Sequence, residues 1–531
     1  MKPLFTFFLF FLLYIPLSAQ EERTITEERI IENYFEIEPD NTAEINIKDD
    51  QLADYDPDSI FVINSYHYNV KGLTIPVILN NKIEIKTGEE INGTENFKKY
   101  LQNKTQLIIN ERVLKNNALI EYNIGDAIED GKYPVDLQIY VEDTWNIIAL
   151  PYPKYDSNTG LSLSLKARDY NFLGTMSALR IDIGYELDEE GKNSFFLMLD
   201  SGIPFHIFGL NWHFNFDHDY TFRPNMELPH YYKNTTGLSI ELPIIKTTLK
   251  LGFDESFILN EENADIDKQD YGVFQKGIYM SSKPYISWEF PTGLNIGNYG
   301  ELTYTPEISA RFNHKINSDL SENRIGPFLE LSHTLGFERI DWIGNFKRGF
   351  SANISNSFNY DFHNLKTDNE PVTFNIFITS KAYFTITNFL GFSTRFMYRH
   401  WFNTYNDAAG DVLRGIADKE INANYMISIN LDLPVRVLRI RPSEWFDKNN
   451  LRILNFDLHA GPVIDTGIFY FTENNSSFSL NNFLLSGGLE FIIFPDFFRS
   501  LFFRVSLCFN FFELSKLMDN YEIFLGMDFH Y

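Results

Sequence analysis

Between Ile421 and Leu433 every second residue is apolar: Ile421, Ala423, Tyr425, Ile427, Ile429, Leu431 and Leu433, with Asn422, Asn424, Ser428, Asn430 and Asp432 among the residues between them. Successive side chains on a strand point to opposite faces, so this spacing makes a strand with one apolar and one polar side. A second run sets Leu454, Phe456, Leu458 and Ala460 against Asn455, Asp457, His459 and Gly461, and its polar parity continues through Val463, Asp465 and Gly467. Similar alternation recurs from Trp145 to the end of the chain, as in Leu161, Leu163, Leu165 and Ala167 against Ser162, Ser164, Lys166 and Arg168. The aromatic content indicates what covers so many apolar strand faces. Phe occurs 51 times and Tyr 29 times, as expected of lipid-facing walls with aromatic girdles. After the first twenty residues no apolar run is long enough for a membrane-spanning helix. The fold expected is therefore a membrane all-β one, a transmembrane antiparallel β-barrel over residues 147–531. The pattern yields eighteen strand-like segments, and polar gaps such as Leu259–Lys276 and Asn403–Lys419 read as extracellular loops.

Ahead of the barrel lie three shorter regions. Residues 1–19 have the form of a secretory signal: Lys2, an apolar core from Leu4 to Leu17, then Ser18-Ala19. Residues 20–58 are rich in Glu and Asp without sustained periodicity and read as a flexible acidic linker. Residues 59–146 read as a small α+β domain in the order strand, helix, strand, strand. Ile60–Ile63 begins the first strand, and Phe97, Leu101, Ile108 and Ile109 share a helical face. Val135, Leu137, Ile139 and Val141 alternate in the last strand. The net charge of -27 argues against a nucleic-acid partner. Cys508 is the sole cysteine, so neither an intrachain disulfide nor a thiolate metal cluster is expected. Neither a catalytic constellation nor a metal or cofactor motif is found, and His459 on the inferred lumen face reads as structural.

Two short motifs have the right order to meet inside such a barrel. Leu413-Arg414-Gly415-Ile416 lies in the long loop before the alternating strands, and Asp465-x-Gly467 lies on the polar face of the second. They resemble the arginine-glycine loop tip and aspartate-x-glycine strand motif of the Omp85 superfamily. Ile416 and Val463 stand where the family commonly has aromatics. Arg348-Gly349-Phe350 is a second copy of the tip, but it lies within a strand pattern and reads as barrel wall. Asn171-Phe172-Leu173-Gly174 resembles the family's first periplasmic turn, and the 59–146 domain resembles a single POTRA domain.

The resemblance implies a barrel of about sixteen strands in the bacterial outer membrane, with its N-terminal domain in the periplasm. It also implies that Arg414 pairs with Asp465 in the lumen. The implied function is non-enzymatic assistance to insertion, assembly or translocation of proteins at that membrane. The partners would be outer-membrane lipid, unfolded client proteins, and a periplasmic chaperone or accessory protein at the POTRA-like domain, with the barrel itself monomeric. A passive pore or scaffold of the same fold is the alternative.

The last residues carry a further expectation. Tyr521, Ile523, Leu525, Met527, Phe529 and Tyr531 share one parity, and an aromatic-ended closing strand resembles the signal that outer-membrane barrels present for their own assembly. Deleting Phe529–Tyr531 is expected to block barrel closure, because each unpaired backbone group left in lipid costs several kcal/mol. The check is the yield of heat-modifiable, protease-resistant barrel, which should collapse in the truncated form.

Overall fold

The computed structural model describes Leu52 and residues 55–526, apart from 129–130, 157–159, 188–192, 225, 261–276, 316–324, 367–369, 407–408, 417–420, 472–481 and 513–520. The signal segment, most of the acidic segment, and Phe529 and Tyr531 lie outside the described residues.

The N-terminal domain is built from β1 (Ile60–Lys71), α1 (Pro76–Ile83), β2 (Glu90–Asn92), α2 (Thr94–Asn110), β3 (Leu119–Ile124) and β4 (Lys132–Glu142). Its sheet has the order β2-β1-β4-β3, with β1 and β4 parallel and the other pairs antiparallel. Alternate residues of the two central strands, among them Phe61, Ile63, Leu137 and Ile139, are fully buried against Phe97, Leu101 and Ile108 of α2. Helix α1 is an element that periodicity does not announce. It spans only 8 residues, yet Pro76 at its first turn is pre-set for a helix and Ile78, Leu79 and Ile83 drop into the same core. Leu52 and Tyr55 also pack there, Tyr55 meeting the rings of Phe61 and Tyr133 edge-on at 5.9 and 4.9 Å. The packed unit therefore includes residues from the end of the acidic stretch.

From Ile147–Asp156 to Tyr521–Gly526 nineteen strands form one closed barrel, in which each strand neighbours the next and the last lies beside the first. Two of them, Tyr425–Asp432 and Val435–Ile440, are halves of a single stave. Both pair with Leu390–Phe402 on one side and with Phe456–Tyr470 on the other. Pro434 breaks the stave because it has no N–H to donate. Gly461 lies opposite the break, where an added Cβ would fall 2.0 Å from the Leu433 carbonyl oxygen. The described residues thus make eighteen staves, two more than the resemblance implies and the number the alternation gives. The register sets apolar residues side by side on the outer face: Leu165 beside Ile183, Leu489 beside Leu507, Phe491 beside Val505, and Leu507 beside Ile523. These side chains are about one-third to one-half exposed, as a lipid-facing wall requires. Among the described residues no helix is long and apolar enough to cross a membrane.

The domain is fastened to the turns at one end of the barrel. Asn110 of α2 donates to Asp341 at 2.8 Å and accepts from the Trp342 N–H at 2.9 Å. Arg499, in the turn between the strands Phe483–Pro495 and Phe503–Asn510, donates to the carbonyls of Leu114 and Ile109. These contacts let a cation meet the carbonyl end of α2, where the helix dipole favours it. Ser500 donates to the Arg112 carbonyl at 2.9 Å, and the Arg112 guanidinium lies 4.1 Å from the Trp342 ring centre.

Candidate functional site

The loop that follows Leu390–Phe402 folds into the barrel interior. Its residues Ala409, Val412, Leu413 and Ile416 are buried against Met397, Ala423, Met426 and Phe469. The Val412 carbonyl accepts from Asn430 at 2.9 Å and from Arg395 at 3.3 Å, so both the apolar and the backbone groups of the tip are anchored. Gly415 then turns with φ +74°, a left-handed conformation that glycine adopts without strain. An added Cβ there would lie 2.7 Å from the Phe509 nitrogen and 2.8 Å from the Cys508 Cβ, so the tip is pressed against the opposite wall. Cys508 itself is buried and points inward.

This packing leaves Arg414 buried at the centre of the loop contact, with 3 % of its surface exposed. Asp465, fully buried, accepts from the Arg414 backbone N–H at 2.8 Å, from Nε at 2.9 Å and from Nη2 at 2.7 Å. This is the two-pronged contact that suits a planar guanidinium to a carboxylate. Nη2 also reaches Asp432 at 2.5 Å and Nη1 reaches Glu490 at 3.3 Å. Glu490 shares a second cation, Arg504, at 3.1 Å. One residue further, the Gly415 N–H donates to Glu522 at 2.6 Å. The tip is thus tied to four staves, and the last of them is the closing strand Tyr521–Gly526 that lies beside the first. Gly467 has a steric part: a Cβ there would come within 2.7 Å of the Phe469 ring and 3.3 Å of Leu413.

Of the sequence motifs, the structure brings Leu413, Arg414, Gly415, Ile416, Asp465 and Gly467 together. Asn171-Phe172-Leu173-Gly174 lies elsewhere, at the junction with the N-terminal domain. There Asn171 donates to Thr74 at 2.8 Å and to Asp143 at 3.0 Å, and the Gly174 carbonyl accepts from the Ile75 N–H at 2.9 Å. Asp143 also accepts from the N–H groups of Leu73 and Thr74, at 2.7 and 3.1 Å. Gly174→Ala is expected to loosen this joint, because its Cβ would fall 1.9 Å from the Leu73 carbonyl oxygen at φ +75°. Hydrogen exchange over residues 72–75 should accelerate, with the barrel amides unaffected.

Sequence reasoning passed over Asp432, Glu490, Arg504 and Glu522. Their signal was parity alone: each belongs to the inward set of its strand. His459 is buried between the rings of Phe346 and Phe494, at 4.5 and 4.7 Å between centroids. Among the described residues no group of three or more His, Cys, Asp or Glu is placed to hold a metal ion.

No protein-family model and no curated protein sequence matches this chain. Solved structures with a similar course of chain include CdiB from Acinetobacter baumannii, at 10% identity and TM-score 0.45, over 88% of this chain and 73% of that one. CdiB from Escherichia coli is similar at 10% identity and TM-score 0.46, over 88% of this chain and 74% of that one. BamA from Haemophilus ducreyi lacking POTRA domains 1-3 is similar at 14% identity and TM-score 0.36, over 85% of this chain and 81% of that one.

Proposed function

We propose that this chain is an exported outer-membrane protein of the Omp85 type that assists the insertion, assembly or translocation of other proteins at that membrane. In this reading the N-terminal domain is a POTRA-like module standing in the periplasm. The observation that carries the reading is the inward loop whose Arg414-Gly415 tip is tied both to Asp465 and, through Glu522, to the closing strand. A barrel that admits a client strand must part its first and last strands and offer their unpaired backbone edges. A lock seated on the closing strand is where such parting would be controlled. At the mouth, β3 is an edge strand of the domain sheet. An extended client could add to it by backbone hydrogen bonding, with specificity set by alternate side chains.

The exported state is tested by membrane fractionation with N-terminal sequencing of the mature chain. Recovery in the soluble periplasm would end the barrel reading. Function is tested by depleting the protein and inventorying the outer-membrane proteins. Broad loss of barrels supports assembly, and loss of one exported protein supports dedicated translocation. An unchanged inventory favours a passive pore or scaffold.

A further inference from the structure

The strand Val435–Ile440 does not return through a tight turn. It leads into a long connection, residues 441–455, that holds the short helix Pro442–Trp445 and a helical turn at Asn449–Leu454. The inner side of this connection is fixed. Arg441 donates to Asp457 at 2.8 Å and lies 3.2 Å from Asp496, and Ser443 and Asn455 hydrogen-bond to each other. With those side chains turned inward, four large apolar ones of the connection are exposed. Trp445 is 60% exposed, Phe446 65%, Ile453 57% and Leu454 53%. On the strand that leads into the connection, the outward Leu438 is 52% exposed as well.

The charge of the segment is opposite to that of the chain. Residues 435–454 hold five cations, Arg436, Arg439, Arg441, Lys448 and Arg452, against Glu444 and Asp447, within a protein of net charge -27. Arg436 and Arg441 face inward to Asp457. Arg439 is part-exposed and lies 3.6 Å from the same carboxylate, whereas Lys448 and Arg452 are exposed beside the apolar side chains. Aromatic and aliphatic groups flanked by cations, next to a lipid-facing wall, are what a membrane interface selects.

We infer that residues 437–454 form a phospholipid-binding platform at the domain-side rim, seated in the leaflet on that side and selective for anionic headgroups. Trp445, Phe446, Ile453 and Leu454 enter the boundary between headgroups and acyl chains. Lys448 and Arg452 extend to the phosphates, keeping their stems on apolar surface. The platform lies on the connection held by Asp457, which belongs to the strand that carries Asp465. Lipid contact there therefore bears on the same wall as the loop lock. The inference rests on the membrane reading above, but not on which mouth faces the periplasm.

The test uses the full-length protein in nanodiscs of phosphatidylcholine with or without phosphatidylglycerol, whose two leaflets are alike. Trp445 emission is taken as the difference between the wild type and Trp445→Phe. Acyl-chain-brominated lipid should quench it strongly, and aqueous iodide weakly. The reverse would place the platform in water and overturn the proposal. Lipids retained on extraction are then counted by native mass spectrometry. Lys448→Gln/Arg452→Gln should lower the preference for phosphatidylglycerol by at least about fivefold, the worth of one cation near an anionic surface. These two exposed residues lie away from Asp457, so folding is not at issue. An unchanged preference would show that the cations do not select the lipid. Failure of the barrel to enter nanodiscs at all would instead count against the membrane reading.

Discussion

Arg414→Ala is expected to lower the stability of the barrel by about 3–5 kcal/mol and to release the inward loop, because it leaves buried carboxylates without their cation. Asp465, Asp432 and Glu490 all lie within 3.3 Å of the Arg414 guanidinium. In its absence Arg504 still holds Glu490, at 3.1 Å. Such a cluster contributes little net stability when complete, since desolvation offsets most of the attraction, but it is costly to break on one side. Asp465→Ala is expected to cost less, since Asp432 and Glu490 still surround the arginine. The double variant should fall well short of the sum, as residues of one network do. Arg414→Lys keeps the charge but lacks the fork, so it should restore the contact to one carboxylate only. Urea unfolding in lipid vesicles reads the stability, and protease access to residues 403–424 reads the loop. Additive losses from Arg414→Ala and Asp465→Ala would show that the two do not act as a unit.

Arg414 and Asp465 were legible in the sequence because two independent signals met on them: a short motif, and a strand parity that turned Asp465 inward. Asp432, Glu490 and Glu522 carried parity alone. An inward carboxylate on an alternating strand looks like any other lumen residue until the register is known. The register sets Asn430 beside Asp465 and Gly461 beside Glu490, which brings three carboxylates around one loop tip. Stave number was better read from alternation than from resemblance, since each strand carries its own period. What alternation could not show is that two segments flanking Pro434 form one stave, because that follows from shared neighbours. Helix α1 was hidden by its 8-residue length, too short for a period to establish itself. The joint between domain and barrel was hidden more deeply. Arg112 and Arg499 are 387 residues apart, and nothing local in either segment points to the other.

The second large effect is expected at Asp457, at the opposite end of the strand from the loop lock. This carboxylate is 1% exposed and faces three guanidiniums: Arg441 at 2.8 Å, Arg439 at 3.6 Å and Arg436 at 3.9 Å. It also accepts from Asn345 at 3.1 Å, which ties it to a turn beside the N-terminal domain. Asp457→Ala removes the anion that these three share, leaving the buried Arg441 with Asp496 at 3.2 Å and Glu444 at 4.0 Å. The expected loss is about 3–5 kcal/mol, with the connection 441–455 released to proteases. Asp457→Asn keeps the shape and the contact with Asn345 but not the charge, so it separates the two contributions. An Asn variant as stable as the wild type would mean that the carboxylate acts through packing and hydrogen bonding alone. Arg436→Gln should matter far less, at about 1 kcal/mol or below, since that cation is the most distant and only half-buried. If lipid contact at Trp445 is transmitted to the barrel wall, it must pass through this hub. Asp457→Asn should then weaken the lipid dependence of loop protection without altering Trp445 quenching.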